Sequence, residues 1–130
     1  MDAVADTSFL VGLWRRQGWA VQYAANNAGL TLGIPWIVLG EFWHGAQRAG
    51  HPEELVRNFL TLGQAIWDPE PVVPEYARLC ASLQDHAVYH QIGQNDLWIA
   101  AVALTQNKPL VTRNLRHFGA VPGLRCLVAG

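Results

Sequence analysis

GQNDLWIAAVALTQNKPLVTRNLRHF, residues 93–118, reads as a buried helix, a tight turn, a buried strand and a polar loop. Leu97, Ile99, Ala100, Ala101, Val102, Ala103 and Leu104 leave almost no solvent face, so this helix belongs inside the molecule. Asn95 is a candidate cap at its start, which places Asp96 in the first helical turn. A turn at Asn107-Lys108-Pro109 leads into Leu110-Val111-Thr112, an apolar run too short for a helix and of the kind found in buried parallel strands. Arg113 and Asn114 follow at the strand's carboxyl end. Ligands of open α/β sheets bind in the crevice outside those ends, so Asn114 stands where chemistry is expected.

The same alternation extends toward the N-terminus. Ala3-Val4-Ala5 is a short apolar run that stops at Asp6-Thr7-Ser8, after which Phe9, Leu10, Leu13 and Trp14 repeat at helical spacing. Asp6 therefore falls at a strand's carboxyl end, where an N-cap role alone would explain it. A second helix is expected over residues 19–28 and a strand over 31–34. Pro35 suits the first position of a helix over 36–49, with Val38, Leu39, Phe42, Trp43 and Ala46 at apolar spacing. Glu41 is the only ionisable residue between Ile34 and Trp43, and it shares a stripe with Ile37, Val38 and Gly45. A carboxylate there needs an arginine, a backbone donor or a cation to compensate its burial. Further helices are expected over 51–67 and 75–90, the first carrying a Glu53–Arg57 pair, and a last strand over 124–128.

One hundred and thirty residues with half of them hydrophobic fit a single domain, 1–130, able to bury a core. The N-terminus lacks the basic start and cleavage site of a secretory signal and no apolar run is long enough to span a bilayer, so a cytoplasmic protein without a membrane association is expected. Cys80 and Cys126, far apart and without metal-ligand spacing, are expected as reduced, buried thiols. A formal net charge of −1 supplies no general basic field for nucleic acid, although bound cations can provide one locally. Arg15, Arg16, Arg48, Arg113 and Arg116 are candidates for a local rim.

Asp6, Glu41 and Asp96 thus occupy three separate positions beside apolar elements, and Asn114 adds a neutral oxygen. Hard divalent cations take oxygen ligands of this kind, with water and substrate phosphates completing the shell. Carboxylates gathered without a cation would repel one another and tend to hold protons. Glu41 and His44 have the three-residue spacing of di-iron bundles, but such sites need two copies of it on a four-helix scaffold. Among six tryptophans, Trp98 is expected in the core, and Trp14, Trp19 and Trp43 are candidates for contact with unpaired bases or a partner chain.

Four segments in order, VADTSFL (4–10), VLGEFWHGA (38–46), NDLWIAAVAL (95–104) and LVTRNLRHF (110–118), together with the closing VPGLR (121–125), resemble the PIN-domain ribonucleases, and within them the VapC toxins of bacterial toxin–antitoxin pairs. The resemblance covers nearly the whole chain. It implies an α/β, PIN-like three-layer sandwich in which a central parallel sheet is flanked by helices and the acids gather at its carboxyl edge. It also implies a magnesium- or manganese-dependent endoribonuclease that cuts RNA, often tRNA or rRNA, forms a homodimer and is held inactive by a cognate antitoxin protein. Asp6, Glu41 and Asp96 match the three acidic metal positions; Asn114 matches the fourth, which is aspartate in many relatives. Thr7 and Ser8 resemble the hydroxyls beside the first aspartate, and Thr112 and Arg113 the polar residues near the fourth position, all four as substrate contacts. Readings from other classes are a non-catalytic binding module on the same fold, an RNA-processing nuclease outside a toxin pair, and a phosphohydrolase with an aspartyl nucleophile. The last usually carries a second aspartate where this chain has Ser8.

Overall fold

The computed structural model describes residues 1–128, so Ala129 and Gly130, the end of the expected domain, lie outside the described residues. Its centre is a five-stranded, wholly parallel sheet: β1 (Ala3–Ala5), β2 (Leu32–Pro35), β3 (Gly63–Ile66), β4 (Leu110–Thr112) and β5 (Cys126–Val128), in the spatial order β3-β2-β1-β4-β5. The chain thus leaves β1 toward one edge through β2 and β3 and returns to its other side with β4. Val4 faces Leu110 and Ala5 faces Val111 across that central pairing. Every residue of β1 and β4 is buried, which is why both strands are apolar without alternation.

Seven helices complete the α/β sandwich among the described residues: α1 (Thr7–Trp14), α2 (Gly18–Asn26), α3 (Trp36–Ala49), α4 (Glu53–Leu60), α5 (Val72–Leu83), α6 (Gln94–Gln106) and α7 (Leu115–Phe118). Helix α6 is the buried helix of the opening stretch, with Leu97, Ile99 and Ala100 through Ala103 all inaccessible. It ends where Asn107 turns left-handed, a conformation that asparagine tolerates better than most residues. Helix α3 ends on Gly50 at φ 74°, the left-handed cap for which glycine carries no Cβ penalty.

Several expected boundaries differ. The helix expected over 51–67 is α4 followed by the edge strand β3; Gln64 and Ala65 face solvent and only Ile66 is buried, so β3 shows no apolar alternation. On α4 Leu55 is exposed while its neighbour Val56 is buried. Helix α5 begins at Val72, with Pro71 as its cap and Pro74 in a first turn that needs no N–H from it. It stops at Leu83, and Ala87–His90 form a separate 3-10 turn capped by His86. Gly93, not Asn95, caps α6, and the loop expected after Arg113 contains α7. Pro35 closes β2 in extended conformation instead of opening α3.

Trp98 is half-buried, stacked on Tyr76 at 3.6 Å and tilted against Trp36 at 6.5 Å. Trp14 is wedged edge-on against Phe42, Phe59 and His51. Cys80 and Cys126 are free thiols, half-buried instead of buried. Among the described residues no helix is long and apolar enough to cross a membrane.

Candidate active site

The strand order places a crevice beyond the carboxyl ends of β1 and β4, where the chain changes direction across the sheet. Asp6 is the residue that emerges from β1 there. It is 4% exposed, and a carboxylate so deeply held needs hydrogen bonds. Three are present: Thr7 N–H donates to Oδ1 at 2.7 Å, and the hydroxyls of Ser8 and Thr112 donate to Oδ2 at 2.9 and 2.8 Å. The capping role expected of Asp6 is therefore real. A carboxylate offers about four lone-pair positions, so one remains, on Oδ1. Thr112 is fully buried at the end of β4, and its oxygen also accepts the Asn114 N–H at 2.9 Å. That hydroxyl fixes both the first acid and the loop after β4.

Thr7 connects Asp6 to the second acid. Its hydroxyl donates to Glu41 Oε1 at 2.8 Å, bringing a half-buried side chain of α3 to the head of α1. Beside Glu41 a groove of about 290 Å³ runs between α1 and α3, walled by Val11, Trp14 and Phe42, with Arg15 and His51 also lining it.

Asp96, in the first turn of α6, is the third. Burial pushes its carboxyl above the ordinary range, a bond to His117 pulls it back, and the negative charges of Asp6 and Glu41 push it further up. The three carboxylates thus feel one another across a single crevice. Asn114, the cap position of α7, does not touch the acids directly; its amide nitrogen lies 3.0 Å from His117 Nδ1, and that same ring nitrogen lies 3.3 Å from Asp96 Oδ2. The shared ring nitrogen serves one partner at a time: as Nδ1–H it donates to Asp96, and as a bare nitrogen it accepts from the Asn114 amide. His117 is the site residue that sequence reasoning missed. Its signal was the Asn-x-x-His spacing, which on one turn of helix puts both side chains on one side. Arg113 lies outside this set, at the exposed rim; its N–H donates to Ser8 Oγ at 3.3 Å and its guanidinium sits 4.6 Å over the Trp19 ring.

The carboxylates of Asp6, Glu41 and Asp96 are hard oxygen donors, as magnesium and manganese require. Among the described residues no group of three or more His, Cys, Asp or Glu side chains is arranged to hold an ion by itself. Magnesium ordinarily keeps several waters and takes one or two carboxylates, and an open set with a free Asp6 lone pair fits that mode. Mutual repulsion among the three carboxylates points the same way.

A stability test follows from Asp96. Because its pKa is raised in the fold, the folded chain binds this proton more tightly than the unfolded chain does. The resulting contribution favours folding most below the ordinary value of 3.8 and is lost as pH rises through the folded value. In chelator, Asp96→Asn should therefore match wild type at low pH and become the more stable protein as pH rises. Urea unfolding across the acid range reads this, and a constant difference between the two would contradict it.

The chain is similar to known proteins over nearly its whole length. The PIN domain family model matches residues 3–124. The chain is 30% identical to Ribonuclease VapC of Rickettsia bellii over 131 residues, covering 98% of this chain and 96% of that protein. It is 32% identical to Ribonuclease VapC2 of Rickettsia felis over 104 residues, covering 78% and 74%. Among solved structures, that of DNA-bound VapBC from Salmonella typhimurium superposes with a TM-score of 0.84 at 22% identity, over 100% of this chain and 99% of the other. A match over nearly the whole length, a parallel sheet of the same form and relatives at this identity lead to one conclusion: the chain belongs to the PIN-domain family and is of the VapC type.

Proposed function

We propose that this protein is a magnesium- or manganese-dependent endoribonuclease and the toxin half of a toxin–antitoxin pair. The observation that carries the reading is the meeting of Asp6, Glu41 and Asp96 at the carboxyl edge of the sheet, linked by Thr7 and by mutual charge. The curated relatives are named ribonucleases, and one solved neighbour is described as a toxin–antitoxin complex from Klebsiella pneumoniae, which supports a cognate antitoxin as partner.

Asp6 and Asp96 would hold the cation, with Glu41 joining directly or through water. When bound, such an ion supplies a lowered water pKa and neutralises charge on the phosphate undergoing in-line attack. Ser8 and Thr112 fix the Asp6 carboxylate so that its free lone pair on Oδ1 keeps one direction. His117 does the same for Asp96, and Asn114 holds His117. Pre-set ligands of this kind lose little freedom on binding, which is why neighbours of metal ligands matter nearly as much as the ligands. Thr7, Ser8 and Arg113 line the approach of the RNA strand, Arg113 offering the positive charge that the acids lack; Thr112, expected as a fourth substrate contact, is fully buried and serves the site by fixing Asp6.

The experiment is cleavage of single-stranded RNA with magnesium or manganese and with excess chelator. Loss of cleavage in chelator and its return on adding manganese are expected. The same rate under all conditions would reject the role given to the acids. The open ligand set favours one second reading, a PIN-fold binding module without catalysis. Calorimetric titration with manganese separates the two, since a module has no need to bind the ion.

A further inference from the structure

Arg113 is an exposed cation that is spent on no carboxylate. None of the ion pairs among the described residues includes it, and its side chain makes no hydrogen bond there. It is nevertheless held. Its guanidinium lies over Trp19, and a contact with a ring face uses none of the five N–H donors, whose fork matches phosphate oxygens. Its backbone N–H is tied to Ser8 Oγ, the hydroxyl that also donates to Asp6.

Trp19 is itself seated with care. Its indole N–H donates to Gln17 Oε1 at 2.9 Å, and Phe9 lies tilted against it at 6.4 Å. Its six-membered ring rests over Gly12 of α1; a Cβ at that position would come within 2.6 Å of Trp19 Cζ2. Only the absence of a side chain at residue 12 lets the indole lie so close to the helix that carries the site. The ring thus forms a fixed floor and the guanidinium lies over it.

We propose that Trp19 and Arg113 form a clamp for a backbone phosphate of the RNA strand, with Trp19 as the positioning residue and Arg113 as the group that touches the strand. The inference rests on the ribonuclease reading. Three carboxylates repel a polyanion, and a net charge of −1 gives no general attraction to offset that. A cation whose charge is not cancelled by an acid, anchored one hydroxyl away from Asp6, holds the strand at the rim.

The test is binding of a short fluorescein-labelled single-stranded RNA, followed by anisotropy in chelator at several salt concentrations. Arg113→Ala should weaken binding about tenfold. It should also flatten the slope of log affinity against log salt by roughly 0.7, the share of one phosphate on a single strand. Trp19→Leu should weaken binding about threefold while keeping the slope, because the charge remains but is no longer held. Trp19→Phe, which restores an aromatic face, should recover part of that loss. Arg113→Lys should keep the slope and lose affinity, as the planar fork is gone. Wild-type affinity and slope in Arg113→Ala, or wild-type affinity in Trp19→Leu, would overturn the clamp. So would displacement of RNA by poly-L-glutamate at equal charge concentration, which would give the cation to the carboxylates of a protein partner. If Trp19→Leu fails to fold, the two Arg113 variants decide. Failure of the wild type to bind or cleave RNA would remove the ribonuclease reading and the clamp together. Cleavage by the wild type with unaltered binding in Arg113→Ala would remove the clamp alone.

Discussion

Asp6→Asn should lower the rate of RNA cleavage by at least about a hundredfold, because loss of a mere neighbour of a metal ligand already costs about 10–100-fold. The change keeps the shape of the side chain and removes one charge and one acceptor. Ser8 and Thr112 now donate to Oδ2, and after substitution each hydroxyl can rotate to accept from the new amide. Folding should therefore survive, with a circular dichroism spectrum like that of the wild type. Manganese affinity, measured by calorimetry, should fall along with the rate. A variant that loses cleavage but binds manganese as before would show that Asp6 acts on substrate and not on the ion. A variant that cleaves normally would remove the scheme altogether. Asp6→Ala is the harsher probe, since it also strands the hydroxyl of a fully buried Thr112 without its acceptor.

Phe118→Ala should give the largest loss of stability. The ring is wholly inaccessible and closes α7, the single turn that carries Asn114 and His117. Deleting a buried phenylalanine side chain costs about 3–5 kcal/mol, against a total of about 5–15 kcal/mol for an ordinary domain. For a chain of this length the midpoint of thermal unfolding should drop by more than about 10 °C. The cleavage rate should suffer before unfolding, because α7 keeps His117 against Asp96. Phe118→Leu, which refills most of the space, should lose far less. A difference under about 1 kcal/mol between Phe118→Ala and wild type in urea would mean that the site can collapse around the gap.

Much of the fold was legible because its central pieces are apolar without interruption. Ala3-Val4-Ala5 and Leu110-Val111-Thr112 are buried throughout and the helix from Leu97 along most of its length, and burial of this kind leaves little ambiguity of face. Asp6 and Asp96 could be found because each breaks such a run at its end. Strand β3 was hidden for the opposite reason: it lies at the sheet's edge with one buried residue, and a preceding amphipathic helix made its residues look like more helix. Helix α7 is a single turn, too short for any period to register. His117 escaped because its meaning lies in Asp96, which only the packing of α6 beside α7 brings to it. The hydroxyl network around Asp6 was equally invisible, since threonine at a strand end has many ordinary uses and only the pairing of β1 with β4 selects one.

The pairing of the first strand with the fourth sets when the site can form. The threonine that steadies Asp6 is made 106 residues after it, and His117 later still. Over that interval the growing polypeptide holds an acid whose hydroxyl support has not yet been made. The crevice can therefore close around its acids only after residues 112 and 117 have been added and β4 has docked beside β1.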